Sequence, residues 1–472
     1  MEPGIGPEVA AYQQAWSAAR EAAAVATADW AKRTGDPLAA AVAEGTAADI
    51  GAETFHGAFE TVAAGILDGR SLDDTGAGDE HRLLRATLRQ FAEAQVVPLA
   101  QEIHRRDLDI PDSIIGGVAE LGLFGLSVPE RYGGFRGDRP DHVAMLIATE
   151  ELSAGSLAAG GSLMTRPEIL VRALLSGGTE EQKRHWLPGI ATGEYLVAVS
   201  VTEPDHGSDV ASIQCRATRL DDGSWSISGT KLWCTFAGRA HLLMVLCRTS
   251  AGGHRGLSLF VAEKPSELGH EFEHRQEHGG VLRGKAIPTL GYRGLHTYEL
   301  GFEDYRLPAS ALVGEEGRGF YLQMEGFATG RLQTVGRAVG VMQGALGDTV
   351  AYVKNRRVFG KPIAEHELAR QMLGRMATRL HASRQLGHAV ARRLDAEEPG
   401  AQVEAALAKL YASRMAEYVT RDGMQLFGGM GYGEETAASR YFVDARVLTI
   451  FEGSEETLAL KVIARALGTK VK

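Results

Sequence analysis

The stretch SVTEPDHGSDVAS (200–212) lies where the pattern of the chain changes from helical to β. Before it, apolar residues recur at spacings of three and four. From about residue 194, short runs such as EYLVAVSV and HLLMVLCRT are β-rich and bounded by Gly, Asp or Pro. The stretch closes the first strand and turns at Pro204 and Gly207, so its hydroxyls and backbone N–H groups can face an acceptor-rich ligand. Taken alone, an ordinary Asx- or Ser-rich turn explains it equally well.

Outward from this stretch, the chain divides into four predicted parts. We predict a helical N-terminal extension (residues 1–78), a helical domain (79–193), a β domain (194–312) and a helical bundle (313–472). A chain of 472 residues is too long for a single core. The order helical, helical, β, helical disfavours a Rossmann enzyme, in which strands and helices would alternate throughout.

Composition excludes several function classes. The net charge of −10 argues against nucleic-acid binding, and no apolar run approaches the roughly 20 residues of a membrane span. The N-terminus carries no export signal, and the three cysteines lack CxxC spacing, so we expect a cytoplasmic protein without a zinc site. The histidine-rich segment 269–285 suggests metal binding, but we favour a solvated loop there and expect no metal.

A second informative stretch, GTKLWCTFAGRAH (229–241), follows about twenty residues later. Trp233 and Thr235 are two residues apart, which on a regular strand places both side chains on one face. An aromatic plane beside a hydroxyl would suit a flat heteroaromatic cofactor. Taken alone, a core tryptophan next to a surface threonine is the more common arrangement.

Near the end of the chain, the apolar run 447–451 closes on a single carboxylate, Glu452, followed by Gly453. Burying an unpaired carboxylate is costly, so such a position suggests a group held to accept a proton. The alternative is a first-turn carboxylate of a helix, and the acidic pair Glu455 and Glu456 makes that alternative reasonable.

Five stretches, in order, resemble the motifs of the acyl-CoA dehydrogenase family. Besides 200–212 and 229–241, they are RRVFGKPI (356–363), QLFGGMGY (425–432) and IFEGSEE (450–456). The resemblance runs from about residue 80 to the end. It implies an α+β multidomain fold with an N-terminal α-helical domain, a middle β-barrel domain and a C-terminal four-helix bundle, preceded here by an extra helical segment whose role is open. It also implies FAD, an acyl-CoA substrate, electron-transferring flavoprotein as partner, and a homotetramer or homodimer.

Residue roles follow from the same resemblance. Glu452 corresponds to the family's catalytic base, and its backbone N–H would help hold the thioester carbonyl. Some family members place the base just before the residue corresponding to Arg331, but here that position is Gly330. Phe451 would keep the site dry, and Gly453 and Ser208 would lie near the substrate. The expected flavin contacts are Val201, Thr202, Gly207, Ser208, Trp233, Thr235, Arg356, Phe359, Gln425, Gly428, Gly429 and Ser454.

Finer similarity is found in SLMTRPEI (162–169), TLGYRGLHTYELGF (289–302), GRLQTVGRAVGVMQGAL (330–346) and FVDARVLTIFEG (442–453). These stretches resemble family members that convert (2S)-methylsuccinyl-CoA to mesaconyl-CoA. Because this substrate carries a second carboxylate, its pocket needs a cation. Arg166 is our candidate and Arg331 the alternative; a surface arginine capping a helix explains Arg166 equally well.

Other functions remain open from the sequence. The protein could oxidise a short branched or a biosynthetic acyl-CoA, or pass electrons to O₂ as an oxidase. A DNA-associated flavoprotein of the same family would need a basic C-terminal surface, which the acidic balance of the chain disfavours.

Overall fold

The structure is a computed structural model that describes residues 6–49, 51, 54–135, 137 and 139–468. The chain forms two compact units. Unit 1 comprises Met1–Gln101, His142–Gly161 and Arg331–Lys472, and unit 2 comprises Glu102–Asp141 and Ser162–Gly330. The boundaries that we assign to four domains from the sequence stay predictions.

Sixteen α-helices lie within the described part of the chain. They are α1 (Pro7–Thr34), α2 (Pro37–Ala48), α3 (Gly57–Leu67), α4 (Asp79–Phe91), α5 (Val97–Arg106), α6 (Asp112–Glu120), α7 (His142–Gly155), α8 (Thr165–Gly177), α9 (Glu180–Thr192), α10 (Gly319–Asn355), α11 (Glu367–Asp395), α12 (Ala401–Phe427), α13 (Gly429–Tyr432), α14 (Ala437–Val447), α15 (Glu455–Thr457) and α16 (Ala464–Ala466). The helical character predicted for the N-terminal extension is confirmed by α1, α2 and α3. No helix in the described ranges is long and apolar enough to cross a membrane.

The N-terminal extension packs on the helical bundle of unit 1. Helix α1 contacts α11 and α12, and α3 contacts α11. The buried face of α1 carries an alanine every fourth residue, at Ala11, Ala15, Ala19 and Ala23, so the helix can lie close to its neighbours. A Cβ atom at Gly374 of α11 would meet the Phe59 backbone oxygen of α3 at 1.9 Å, so this approach requires glycine.

Buried ion pairs fasten the extension to α11. The Arg379 guanidinium donates to both carboxylate oxygens of Asp49, at 2.8 and 2.9 Å. The Arg384 guanidinium donates to Asp73 at 3.0 Å and to Glu150 of α7 at 2.8 Å. Because a buried charge is costly unless it is paired, these contacts make the extension part of the core of unit 1 rather than a loose appendage.

Unit 2 contains a nine-stranded sheet. Its strands are β1 (Val197–Ser200), β2 (Arg216–Arg219), β3 (Trp225–Thr235), β4 (Leu242–Arg248), β5 (Leu257–Glu263), β6 (Glu271–Arg275), β7 (Val281–Ala286), β8 (Thr297–Leu307) and β9 (Leu312–Val313). The hydrogen-bonded order is β6-β7-β8-β3-β2-β4-β5-β9, with β1 parallel to β4. A separate hairpin in unit 1 pairs β10 (Arg357–Val358) with β11 (Lys361–Pro362).

Strand β4 is buried on both faces. Leu242, Met244 and Leu246 face a core shared with helices α8 and α9, whereas Leu243, Val245 and Cys247 face a second core formed between strands. Such a strand has a continuous apolar sequence instead of an alternating one. The strands predicted at EYLVAVSV and HLLMVLCRT are confirmed as β1 and β4.

The histidine-rich segment is not the loop that we expect from its polarity. Residues 271–275 and 281–286 form the antiparallel hairpin of β6 and β7. The exposed Glu271 and Glu273 alternate with the buried Phe272, so only one face of β6 is polar. Counting polar residues hides this alternation, and the prediction of a loop is wrong.

Replacement of Asp49 by alanine should destabilise the protein strongly. The change leaves the buried Arg379 without its bidentate partner, and we expect a loss of about 3 kcal/mol in the free energy of unfolding. Urea unfolding measures this loss. The control is Asp29→Ala, which breaks the exposed pair of Asp29 and Lys32 within α1 and should cost less than about 1 kcal/mol. Equal losses in the two variants would contradict the anchoring role of Asp49.

Candidate functional site

The turn between α14 and α15 carries Glu452 in an unusual backbone conformation. The φ angle is +54° at Glu452 and +92° at Gly453. The left-handed region costs a residue with a side chain about 1 kcal/mol or more, so surrounding contacts must hold Glu452 there. We call residues 448–454 the catalytic turn.

The carboxylate of Glu452 is held by two side chains of α10. The Oε1 atom accepts a hydrogen bond from Arg337 Nη2 at 2.7 Å, and Oε2 accepts one from the Thr334 hydroxyl at 3.0 Å. Arg337 is fully buried, and its guanidinium lies 4.6 Å from the centre of the Phe451 ring. The surroundings of Glu452 are therefore less apolar than we expect from the sequence, because a buried cation faces the carboxylate directly.

Lys409 of α12 holds the backbone on both sides of Glu452. Its ammonium donates to the carbonyl oxygen of Phe451 at 3.1 Å and to that of Gly453 at 2.7 Å. The side chain is fully buried, and this burial lowers the pKa of Lys409 to about 7, against the opposing effect of the Glu452 and Glu455 carboxylates. Two carbonyls fixed by one buried lysine leave the turn little freedom to open.

Helix α1 of the extension contacts the residue that starts α15. Glu455, buried three positions after Glu452, accepts hydrogen bonds from the Tyr12 hydroxyl at 2.6 Å and from Trp16 Nε1 at 3.1 Å. Arg414 of α12 also donates to Glu455. The first-turn carboxylate that the sequence suggests as an alternative role is therefore Glu455, and Glu452 is a different kind of group.

The other flavin candidates of unit 1 lie on exposed turns. Phe359, with φ +50°, and Gly360, with φ +83°, form the two-residue loop between β10 and β11. Loops of this length favour positive φ at both positions. The Phe359 ring is 98% exposed, and Arg356 beside it is exposed as well.

The last turn of α12 and the residues just after it carry three more candidates, Gln425, Gly428 and Gly429. All three are exposed. Gly428 has φ +62°, and a Cβ atom at Gly428 or Gly429 would meet no atom of the described residues within 4 Å. Packing against the described residues does not explain the glycine at position 429. An open backbone of this kind lets a large group approach closely.

In unit 2, a buried lysine holds the stretch 200–212 against β3. Lys231 Nζ donates to the Val201 carbonyl and to Glu203 Oε1, both at 2.9 Å, and the backbone N–H of Leu232 donates to the Thr202 carbonyl. The segment then turns outward, so that the candidates Gly207 and Ser208 are exposed. The contacts of Lys231 hold the start of this loop in place, and the loop exposes the Ser208 hydroxyl and its backbone to solvent.

A β-bulge separates Trp233 from Thr235. The pairing of β3 with β8 shifts register between Lys231 and Cys234, and Trp233 has φ +59°. Trp233 is 54% exposed, whereas Thr235 is 8% exposed and shares a hydrogen bond with the Thr297 hydroxyl. The alternation that would place both side chains on one face is interrupted, so our inference from their spacing is wrong.

Arg166 is buried on α8 and not on the surface. Its Nη1 atom donates to the Ser162 carbonyl at 3.0 Å, and Nη2 donates to the Tyr292 hydroxyl at 2.9 Å. Within the described ranges, no ion pair joins it to a carboxylate. The alternative of a surface arginine is therefore wrong. Arg166 and Tyr292 come from 162–169 and 289–302, two of the stretches that suggest a dicarboxylate substrate.

Arg331, the alternative cation, lies in unit 1. Burial lowers the pKa of its guanidinium, and the Glu452 carboxylate opposes this effect. The Ser454 hydroxyl caps α15 by accepting from the Thr457 backbone N–H at 3.3 Å. Ser454 therefore has a structural role of its own beside the expected flavin contact.

Family models match three consecutive parts of the chain. They are the N-terminal domain of acyl-CoA dehydrogenase at residues 78–194, the middle domain at 198–305 and the C-terminal domain at 317–468. Together with the fold and the turn of Glu452, they show that the chain belongs to the acyl-CoA dehydrogenase family, whose members are oxidoreductases that use FAD. The models begin at residue 78, so α1, α2 and α3 lie outside them.

The chain is also similar to individual members of the family. The chain is 40% identical over 397 residues to (2S)-methylsuccinyl-CoA dehydrogenase of Cereibacter sphaeroides, covering 83% of this chain and 70% of the relative. It is 35% identical to the mitochondrial short-chain specific acyl-CoA dehydrogenase of Bos taurus, covering 82% and 90%.

Solved structures show the same similarity. Butyryl-CoA dehydrogenase from Megasphaera elsdenii has a TM-score of 0.76 and 30% identity, covering 83% of this chain and 98% of that one. A glutaryl-CoA dehydrogenase from Mycobacterium smegmatis in complex with FADH2 has a TM-score of 0.73 and 27% identity, covering 84% and 96%.

The exposed candidates are chemically suited to FAD. A flavin dinucleotide needs a surface for its flat ring, donors for its acceptor-rich edge and a cation for its diphosphate. Unit 2 offers an exposed tryptophan and an open loop with a hydroxyl, and unit 1 offers an exposed arginine and two glycines that no described residue packs against. Contact of FAD with Thr202, Gly207, Ser208 and Trp233 of unit 2, and with Arg356, Phe359, Gln425, Gly428 and Gly429 of unit 1, stays a prediction.

Sequence reasoning missed the two buried cations at the catalytic turn. Arg337 lies three residues after Thr334 in an otherwise apolar part of α10, and Lys409 lies in the alanine-rich run EAALAKLYA of α12. A lone charged residue on the apolar face of a predicted helix is the signal that could have identified both.

Replacement of Lys409 by methionine should remove part of the pH dependence of stability. Between about pH 7 and pH 10, the unfolded chain keeps a proton on Lys409 that the folded protein has lost. The free energy of unfolding should therefore rise with pH, by up to about 1.4 kcal/mol per pH unit from this group. Urea unfolding across this range should show a smaller slope in Lys409→Met. The exposed Lys461→Met is the control, and an unchanged slope in Lys409→Met would contradict the assignment.

Proposed function

We propose that the protein oxidises (2S)-methylsuccinyl-CoA to mesaconyl-CoA, with Glu452 as the base. The observation that best supports this proposal is the geometry of the catalytic turn. There Glu452 has a φ angle of +54°, and its two carboxylate oxygens are held by Thr334 and Arg337. A group that must take a proton from carbon needs a fixed direction, and these contacts supply it.

The residues of the chain divide the chemistry between them. Glu452 accepts the α-proton of the thioester, and Arg337 and Thr334 keep its carboxylate oriented. Lys409 keeps the backbone of the turn in place, so the Glu452 N–H keeps one direction relative to the thioester oxygen. FAD, when bound, supplies the acceptor for the β-hydride. Loss of the α-proton and the β-hydride leaves the carbon–carbon double bond of the product.

Arg166 supports the choice of a dicarboxylate substrate. A buried guanidinium without a carboxylate partner in the described part of the chain is a ready site for a ligand carboxylate, which it can bind with two hydrogen bonds. The Tyr292 hydroxyl orients the guanidinium through its contact with Nη2. The similarity to the Cereibacter sphaeroides enzyme points to the same class of substrate.

Electron-transferring flavoprotein is the proposed electron acceptor. This protein is similar to a chain in the solved structure of an electron transferring flavoprotein of Acidaminococcus fermentans, with a TM-score of 0.74 and 30% identity. The similarity covers 83% of this chain and 98% of that one. The family resemblance also supports a homodimer or homotetramer. Oxygen consumption during turnover would instead indicate the oxidase alternative.

Glu452→Gln should abolish the reaction without loss of the cofactor. The amide cannot accept the α-proton, so anaerobic mixing with substrate should no longer bleach the flavin absorbance, and the protein should remain yellow. The control is Glu456→Gln, which changes an exposed carboxylate on α15. Bleaching by Glu452→Gln at the wild-type rate would overturn the assignment of the base, and absence of bleaching by any acyl-CoA in the wild type would overturn the proposed enzyme.

Arg166→Met should change the choice of substrate. Removing the cation that pairs with the distal carboxylate should lower kcat/KM for (2S)-methylsuccinyl-CoA by about 30-fold or more. The comparison substrate is a branched acyl-CoA of equal length with a methyl group in place of that carboxylate, for which we expect little loss. Arg331→Met tests the alternative cation in the same assay. Equal losses for both substrates in Arg166→Met would remove the proposed role of Arg166.

A further inference from the structure

Four side chains of unit 2 form a cluster of metal-ligating groups outside the proposed active site. Asp107 and Asp109 follow α5, His270 precedes β6, and His296 precedes β8. His270 Nε2 lies 3.1 Å from Asp107 Oδ2, and His296 Nδ1 lies 3.6 Å from Asp107 Oδ1. Ligand atoms of Asp107, His270 and His296 all lie within 4.8 Å of one another.

The spacing of these atoms suits a tetrahedral ion. Zinc binds imidazole nitrogen and carboxylate oxygen at about 2.0–2.2 Å, which places neighbouring ligand atoms about 3.3 Å apart. The measured 3.1 and 3.6 Å lie on either side of this value but involve the two different oxygens of the Asp107 carboxylate, so a small rotation of that carboxylate would bring one oxygen within reach of both imidazoles. Two imidazoles with one carboxylate favour zinc, cobalt or nickel, because calcium and magnesium prefer oxygen ligands throughout.

Asp109 has the position of an outer partner to a metal-bound histidine. Its Oδ1 atom lies 3.3 Å from His296 Nε2, and its Oδ2 atom accepts the Gly269 backbone N–H at 2.7 Å. His296 is buried, and its Nε2 atom has no hydrogen bond of good geometry within the described residues. A metal on Nδ1 would fix the proton on Nε2, facing Asp109, as metal-bound histidines usually have it.

The nearby arginine does not take the place of the ion. Arg293 Nε approaches Asp107 Oδ1 only to 4.0 Å. Its guanidinium donates instead to the backbone oxygens of Thr289 and His104, both at 3.0 Å. The carboxylate of Asp107 is therefore left facing the two imidazoles.

We propose that Asp107, His270 and His296 bind one divalent ion of the zinc class, with Asp109 orienting His296. The ion would join the segment after α5 to the strands of unit 2, beside the backbone hydrogen bond of 2.8 Å from Ile110 N–H to the Gly294 oxygen. Its role is structural, so the proposal stands apart from the dehydrogenase activity. It reverses the expectation from the sequence that the chain has no metal site.

The test uses the untagged full chain with its flavin, treated with a chelator and then titrated with Zn²⁺ or Co²⁺. We expect about one equivalent of metal per chain by elemental analysis and a higher thermal midpoint with Zn²⁺. Cobalt should give the visible absorption of a tetrahedral site without a thiolate band. His270→Ala and Asp107→Asn should lose these effects, and His278→Ala, an exposed histidine of the same hairpin, should keep them.

Three outcomes would overturn the proposal. They are a dissociation constant for Zn²⁺ weaker than about 1 mM, equal binding by His270→Ala and the wild type, or a cobalt–thiolate band that assigns the metal to the buried cysteines. Because His270 is exposed, His270→Ala should fold, and flavin absorbance with circular dichroism verifies this directly.

Discussion

The pairing of buried charges around Glu150 is the constraint on which unit 1 depends. The Glu150 carboxylate accepts from Arg85 at 2.7 Å and from Arg384 at 2.8 Å, and all three side chains are nearly inaccessible to solvent. Asp73 extends the group into the extension, and burial lowers the pKa of the neighbouring His388 to about 4, which keeps it neutral. Any one charge left alone here would cost several kcal/mol, so the helices that carry them must assemble together.

The catalytic turn is likewise stabilised by paired buried charges. A carboxylate in a left-handed conformation is stable there because one buried cation binds one of its oxygens and another binds the carbonyls beside it. Arg337 and Lys409 therefore connect the stability of the bundle to the geometry of the proposed chemistry. Arg166 in unit 2 is the contrasting case, a buried cation whose partners within the described part of the chain are neutral oxygens.

Sequence patterns predicted the positions of helices and strands better than they predicted the bulge in β3 and the pairing of β6 with β7. Apolar periodicity located β1, β4 and the helices, because an element that buries one face or both has apolar residues at regular spacings in its sequence. The bulge at Trp233 and the pairing of 271–275 with 281–286 depend on register between distant strands, which local spacing cannot supply. The motifs identified Glu452, but the cations that hold it come from α10 and α12, far away along the chain.

Helix α1, which lies outside the three family domains, contacts Glu455, the residue directly after the catalytic turn. Tyr12 and Trp16 donate to Glu455, three residues beyond Glu452. Substitutions in α1 can therefore change how firmly α15 is held while every family motif stays intact. In this protein the extension therefore adds contacts from outside the family domains to the helix that follows Glu452.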